Sequence, residues 1–378
     1  MDRRGIVMLA AMALLAGCKV IPKGPPSGPP PVDRPSAEVL PTDARRHRVA
    51  LLVPMTGPNG GVGQAIANAA TMALLDTNAD NLRITTYDTS AGAQAAATRA
   101  IADGNKLVLG PLLADDIPAI AATARAARVP VISFSNDEAA ASRDVFVMGS
   151  LPGQSIARTV AYAKGKGMTR FAALVPDGEY GQRASSAFLG AVQAQGGRVV
   201  AMETFNRSNT SVTSAARRLR DKGGYDAVLI ADGGRIAAQA APSLRAGATS
   251  PRILGNELWS GESVIAQTPA LRGALFSAVS DTRFRQFAES YKSRFGAQPY
   301  RIATLGYDAV LLTIRIARDW RPGSTLPTAR LSQADGFLGV DGAFRFGANG
   351  VIQRAMEVRE VRAGTIAVVS EAPAGFGN

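Results

Sequence analysis

The chain has 378 residues, 46% of them hydrophobic and 19% charged, a balance that suits globular lobes and a length beyond one hydrophobic core. It holds a single cysteine and a single histidine, His47, which excludes a Ser–His–Asp or Cys–His relay and a zinc site built on those ligands. The formal net charge of +12 comes from scattered arginines rather than a basic block interleaved with aromatics, so no nucleic acid is expected as a partner; an anionic wall polymer or anionic lipid fits such a field better.

The first element in chain order is a leader. Met1–Asp2–Arg3–Arg4 is a basic start, and Gly5 to Ala16 is apolar or small throughout. About twelve such residues cannot cross a ~30 Å hydrocarbon layer as a helix; they describe a secretory signal, expected over 1–17. Leu15–Ala16–Gly17–Cys18 resembles the lipobox of bacterial lipoproteins. That resemblance implies cleavage before Cys18, its acylation, and anchoring to a membrane, where several acyl chains hold firmly and one alone does not. Lys19, a residue other than Asp, points by the same resemblance to the outer membrane. The other reading is an ordinary signal with an accidental cysteine. Residues 18–46, with KVIPKGPPSGPPPVDRPSAEVLPTD inside them, are too rich in Pro, Gly and charge to bury a core. They are expected as an extended tether at ~3.1 Å per residue, either a plain spacer or a ligand for a proline-recognising partner.

From residue 47 the pattern alternates. RVALLVP (48–54) reads as a buried strand, GQAIANAATMALLD (63–76) as a helix, LRITTYD (82–88) as a strand and AQAAATRAIADG (93–104) as a helix stopped by Gly104. KLVLG (106–110), a helix over 115–127, VPVISFS (129–135) and DVFVMG (144–149) continue the series. The grammar then restarts: helix 153–166, strand 170–176, helix 181–195, strand 198–205, helix 211–221, strand 225–232, helix 234–247, strand 252–256, strand 274–280. Helices at 282–295 and 300–318 follow, and the chain closes in hairpins around Gly350 and Gly364. Alternating strands and helices require parallel pairing with right-handed crossovers. The fold class is therefore α/β, with two doubly wound parallel-sheet lobes and ligands expected at the carboxyl ends of their strands.

Motifs for bond-breaking chemistry are missing. GPNGGVG (57–63) is glycine-rich, but no Lys-Ser/Thr follows it to hold a phosphate. Asp115–Asp116 are adjacent on the chain, which is not the spacing of two carboxylates flanking a glycosidic bond. No enzyme, cofactor or metal is expected.

VALLVPMTGPNGGVGQAIANAATMAL, LVLGPLLADD, VPVISFSN, DGEYGQ, FAESYKSRFGAQPYRIATLGYDAV and GVDGAFRFGANGVIQRAMEVREVRAG together resemble, in order, the type I periplasmic binding proteins of the leucine/isoleucine/valine-binding group. The resemblance implies two lobes around a hinged cleft, one from 47–149 and 281–335, the other from 150–280 and 336–370. It also implies a carboxylate grip at 112–116 and 133–136, so Leu113, Ala114, Asp115, Ser133, Ser135 and Asn136 are candidate ligand contacts. The first loop departs from the pattern by lacking a serine, and a ligand carboxylate close to Asp115 would be repelled; Asp115 reads otherwise as a helix N-cap. Ser133 and Ser135 serve either a ligand or the backbone at a strand end. In the second lobe the resemblance makes Tyr180 an aromatic wall, or else packing within its own turn, and Glu257 the partner of a ligand ammonium, or else an ordinary exposed loop acid, with Trp259 near the same mouth. Tyr307 and Asp308 lie inside a helix, where they are expected to stabilise the first lobe.

Two functions fit. One is a lipid-anchored solute-binding protein taking an amino-acid-like or other small polar ligand and delivering it to an ABC importer permease. The other is an outer-membrane lipoprotein that activates a class A penicillin-binding protein, since such activators carry this fold. Fold alone does not choose between them.

Overall fold

β1 (His47–Val53) shows why the chain builds parallel sheets. Val49, Leu51 and Val53 enter one core while Ala50 and Leu52 enter another, because successive strand side chains point to opposite faces. A strand apolar on both faces needs helices over both. The computed structural model describes residues 45–208, 210–246 and 250–376; Cys18 and the Pro-rich stretch as far as 44 lie outside the described residues.

The first lobe runs through α1 (Gly60–Thr77), β2 (Leu82–Asp88), α2 (Ala93–Ala102), β3 (Leu107–Leu109), α3 (Ile117–Ala126), β4 (Val131–Ser133) and β5 (Val145–Val147). Its sheet is wholly parallel, in the order β2-β1-β3-β4-β5. The second lobe repeats the plan with α4 (Pro152–Gly165), β6 (Arg170–Pro176), α5 (Glu179–Ala194), β7 (Arg198–Phe205), α6 (Ser211–Lys222), β8 (Ala227–Ile230), α7 (Gly234–Arg245), β9 (Arg252–Leu254), α8 (Ser263–Gln267) and β10 (Leu275–Ala278). The parallel order β7-β6-β8-β9-β10 is the same winding. Phe171, Ala173 and Val175 of β6 face one core and Ala172 and Leu174 the other.

The chain then recrosses. α9 (Thr282–Phe295) and α10 (Thr304–Ala317) pack on the first lobe, α10 sending Leu305, Ala309 and Ile316 into its core. β11 (Phe337–Gly339), β12 (Gly342–Phe346) and β13 (Ile352–Arg354) form a small antiparallel sheet. β14 (Glu357–Arg362) and β15 (Thr365–Ser370) extend the second sheet antiparallel to β10. Phe337, Phe344, Phe346 and Ile352 are buried with the first lobe's core, so residues 336–354 pack there and not with the second lobe as expected. The side that the hairpins join is decided by those aromatics, and only from Glu357 onward does the chain pair with β10.

Two helices start differently from expectation. The segment expected as a helix from 115 opens with a tight 3-10 turn at Ala114–Asp116 before α3, whose Pro118 sits in the first helical turn, the place where proline's missing N–H matters least. The helix expected from 300 is a 3-10 turn at Arg301–Ala303 followed by α10. Among the described residues no helix is long and apolar enough to cross a membrane.

Candidate functional site

A cavity of about 520 Å³ lies where the two lobes meet, at the carboxyl ends of their strands, as doubly wound sheets dictate. The first lobe contributes Asn59 and Val62 at the start of α1, Leu112 and Leu113 after β3, and Phe134 and Asn136 after β4. The second contributes Tyr180 at the start of α5 and Glu257 and Leu258 after β9. Three crossing segments, 148–151, 279–281 and 355–356, join the lobes, and Ser150, Val279, Arg354 and Met356 line the cavity from or beside them. Arg301 and Asp341 complete a mostly apolar wall. A second groove, of about 390 Å³, runs between α1, α9 and α10. Its polar groups are taken up locally, Tyr307 donating to Asp76 at 3.0 Å and Arg283 to the Gly339 carbonyl at 3.1 Å.

The polar focus of the cleft is Glu257. One carboxylate oxygen accepts from the Tyr180 hydroxyl at 3.1 Å and the other from the Ser155 hydroxyl. Tyr180 in turn accepts from Asn256 Nδ2 at 2.8 Å, and the Arg207 guanidinium lies over its ring at 5.1 Å. Burial pushes the Glu257 carboxyl above its ordinary range, against the hydrogen bonds from Ser155, its own backbone N–H and Tyr180. Burial, and then the nearby Glu257 charge, likewise push the Tyr180 phenol up. No lysine or arginine among the described residues forms an ion pair with Glu257. Glu257 is thus a half-buried carboxyl on the cavity wall whose side-chain partners are neutral donors.

Of the residues singled out in the sequence, Leu113, Asn136, Tyr180 and Glu257 line this cavity; Ala114, Asp115, Ser133 and Ser135 do not. The Ser133 hydroxyl donates to the Pro111 carbonyl at 3.0 Å and accepts the Ser135 N–H at 3.1 Å. The Ser135 hydroxyl accepts the Asp137 N–H at 3.1 Å. Both serines are buried, and these bonds satisfy the backbone at the strand end. Asp115 is exposed within the 3-10 turn, and no side chain caps α3, so the expected N-cap is absent. Trp259 is fully buried, its indole N–H donating to the Asp232 carbonyl at 2.8 Å. It packs against Gly255, where a Cβ would stand 2.3 Å from the indole ring, and so belongs to the second core and not to the cleft mouth. Asp308 is buried and accepts the Val340 N–H at 2.7 Å, inside the first lobe as expected.

Asn256, Ser155, Arg301, Asp341 and Arg354 were not singled out, although the last three lie in the family-like stretches quoted above. Across the mouth, Arg183 of α5 donates to Asn136 Oδ1 at 3.2 Å, one lobe touching the other.

The sequence pattern of the periplasmic binding protein family matches residues 47–365. The chain belongs to the periplasmic binding protein family. Its fold is that of the type I, leucine-binding-like members. Among solved structures, a protein of Rhodospirillum rubrum assigned to branched-chain amino acid ABC transport superposes with a TM-score of 0.76 at 22% identity, over 86% of this chain and 100% of that one. LivJ of Streptococcus pneumoniae, a branched-chain amino acid transporter substrate-binding protein solved with isoleucine, gives 0.63 at 19% identity over 87% of this chain and 100% of its own. Full-length LpoA of Haemophilus influenzae gives 0.68 at 18% identity over 86% of this chain but 59% of its own. At these identities the likeness is one of fold. A curated relative, the uncharacterized protein RP748 of Rickettsia prowazekii, is 28% identical over 179 residues, 47% of this chain and 48% of that protein, so the match spans about half the length of the relative.

Proposed function

We propose that this binding protein takes a small amino-acid-like ligand in its inter-lobe cleft and acts by binding alone, delivering the ligand to an ABC importer permease. The observation that carries the reading is Glu257, a half-buried carboxyl on the cavity wall that forms no ion pair among the described residues. A ligand ammonium would supply the missing charge, Tyr180 would hold the carboxylate in place, and Leu113 and Asn136 would close over the ligand from the first lobe. A ligand that touches both lobes favours the shut form by its difference in affinity for the two forms. The solved LivJ–isoleucine complex, of the same fold, makes aliphatic amino acids the first candidates. The location we propose is the periplasm, with acylated Cys18 as anchor at the outer membrane.

The test is a thermal-unfolding screen with the common amino acids and small peptides. Free ligand at about 100 times its Kd adds about 2.7 kcal/mol of stability, so a saturable rise of several degrees for one chemical group is expected. A flat response across the set sinks the reading. In the same strain Cys18→Ala should move the protein from the membrane to the soluble periplasmic fraction; persistent sedimentation would remove the anchor.

A second reading, a lipoprotein that touches a class A penicillin-binding protein, is favoured by one observation. Neither the 112–116 loop nor the two buried serines offers a hydroxyl to the cavity, so the usual carboxylate grip is missing. The fold likeness to LpoA is compatible with it. Capture of a class A penicillin-binding protein, with no response to any small ligand, would select it.

A further inference from the structure

The cleft holds a charged side chain with idle donors. Arg354 ends β13 beside the third crossing segment and is 8% exposed. Its Nη2 donates to the Met148 carbonyl at 3.1 Å, and its guanidinium lies 5.5 Å from the Phe344 ring. Nε and Nη1 have no hydrogen-bond partner among the described residues. Its charge acts on the buried Asp308 carboxyl, but buried donors without a hydrogen bond still bear a desolvation penalty.

Neighbouring acids do not use these donors. Asp308 accepts instead from the backbone N–H groups of Val340 at 2.7 Å and Asp341 at 3.4 Å. The Asp341 carboxylate takes Arg301 at 3.0 Å and the Thr304 hydroxyl at 2.7 Å. The polar side chain that the 112–116 and 133–136 loops offer the cavity is Asn136, already bonded to Arg183.

We propose that Arg354 receives the anionic group of the cleft's ligand, a carboxylate carried on an aliphatic or aromatic body. Nε and Nη1 have almost no accessible surface, so the guanidinium would turn toward the cavity that Arg354 lines for its idle donors to gain charge-assisted bonds. With Arg301 of the same cavity committed to Asp281 and Asp341, the Arg354 guanidinium suits a monoanion, and Leu112, Phe134, Ile302, Leu305 and Met356 give the cavity its apolar walls. The grip on the acid end would thus sit at the crossing between lobes and not on first-lobe hydroxyls. This inference rests on the ligand-binding reading above.

Calorimetric titration of matched acid–amide pairs tests it: leucine with leucinamide, 4-methylpentanoate with 4-methylpentanamide, benzoate with benzamide. In the wild-type protein at least one acid should bind about 10- to 100-fold tighter than its amide. In Arg354→Met that ratio should fall to near parity. If Arg354→Met does not fold, Arg354→Gln, which keeps a donor for the Met148 carbonyl and loses the charge, carries the same comparison. Wild-type protein that binds acids and amides equally overturns the assignment and leaves the ligand-binding reading standing. An acid preference that survives loss of the Arg354 charge does the same. Binding of none of the six overturns the assignment, and the thermal-unfolding screen then decides the ligand-binding reading.

Discussion

Glu257 sits half-buried on the wall of the cleft, and its partners Tyr180 and Ser155 are neutral donors. Burial raises its carboxyl above the unfolded value, so between the ordinary glutamate range and that raised value the folded chain binds more protons than the unfolded one. Stability from this group is therefore complete below the ordinary range and falls as pH rises through the window. Glu257→Gln should flatten that fall: the melting midpoint of the variant should decline less than the wild type's as pH rises from the ordinary glutamate range. Leucine affinity should drop about 10- to 100-fold in the variant, because the charged hydrogen bond to the ligand ammonium is gone. A variant with unchanged leucine affinity would show that Glu257 only shapes the wall. Tyr180 and Glu257 both line the cavity, and they were singled out in the sequence, Tyr180 in DGEYGQ and Glu257 through the family resemblance. Their supports were not: Ser155 lies 102 positions from Glu257, and only the fold brings them together. Arg354 was hidden for a related reason, since in an alternating IQR strand an arginine reads as solvated.

At the scale of elements the two lobes share a joint. A proline, Pro54 just after β1 and Pro176 at the end of β6, sets its carbonyl against a helical glycine in each lobe. A Cβ at Gly63 would stand 1.8 Å from the Pro54 oxygen, and one at Gly181 would stand 1.7 Å from the Pro176 oxygen. Both helices approach their strands more closely than any side chain allows, and α5 thereby sets Tyr180 at the cleft. Gly181→Ala must push the helix off the strand, an overpacking that costs about 1–3 kcal/mol or more. It should lower the melting midpoint and weaken ligand binding together. Gly190, on the exposed face of the same helix with nothing within 4 Å, is the control: Gly190→Ala should stabilise by about 0.5–1 kcal/mol through helix propensity. Equal behaviour of the two variants would dismiss the joint. The sequence announced these elements by period, because strands buried on both faces are apolar throughout and their helices are amphipathic. It did not announce which lobe the closing hairpins join, since Phe344 and Phe346 could fill either core.

For the whole molecule the question is what ties the lobes at their crossings. A chain of ion pairs runs through all the later ones. Glu357 holds Arg359 at 2.6 Å, Arg359 also reaches Asp281, and Arg301 joins Asp281 at 2.6 Å to Asp341 at 3.0 Å. Arg359 belongs to the second lobe's sheet and Arg301 to the first lobe, so Asp281 is the shared acid between them. Burial pushes the Asp281 carboxyl up, but Arg359 and Arg301 outweigh it and hold it below its ordinary value. The sign is opposite to that of Glu257: the contribution is present above the ordinary aspartate range and is lost as pH falls through the lowered value. Asp281→Ala leaves Arg359, whose side chain is 5% exposed, with Glu357 as its remaining acid. Because Asp281 keeps 28% of its side chain exposed, the expected loss is about 2–4 kcal/mol, below that of a fully enclosed pair. Both lobes lose the tie at once, so denaturant unfolding should shift to a lower midpoint or split into two transitions, while the acid-side loss of stability should shrink. An unshifted midpoint at neutral pH would mean that the lobes are held by their packed crossings alone, with the ion chain a passenger on them.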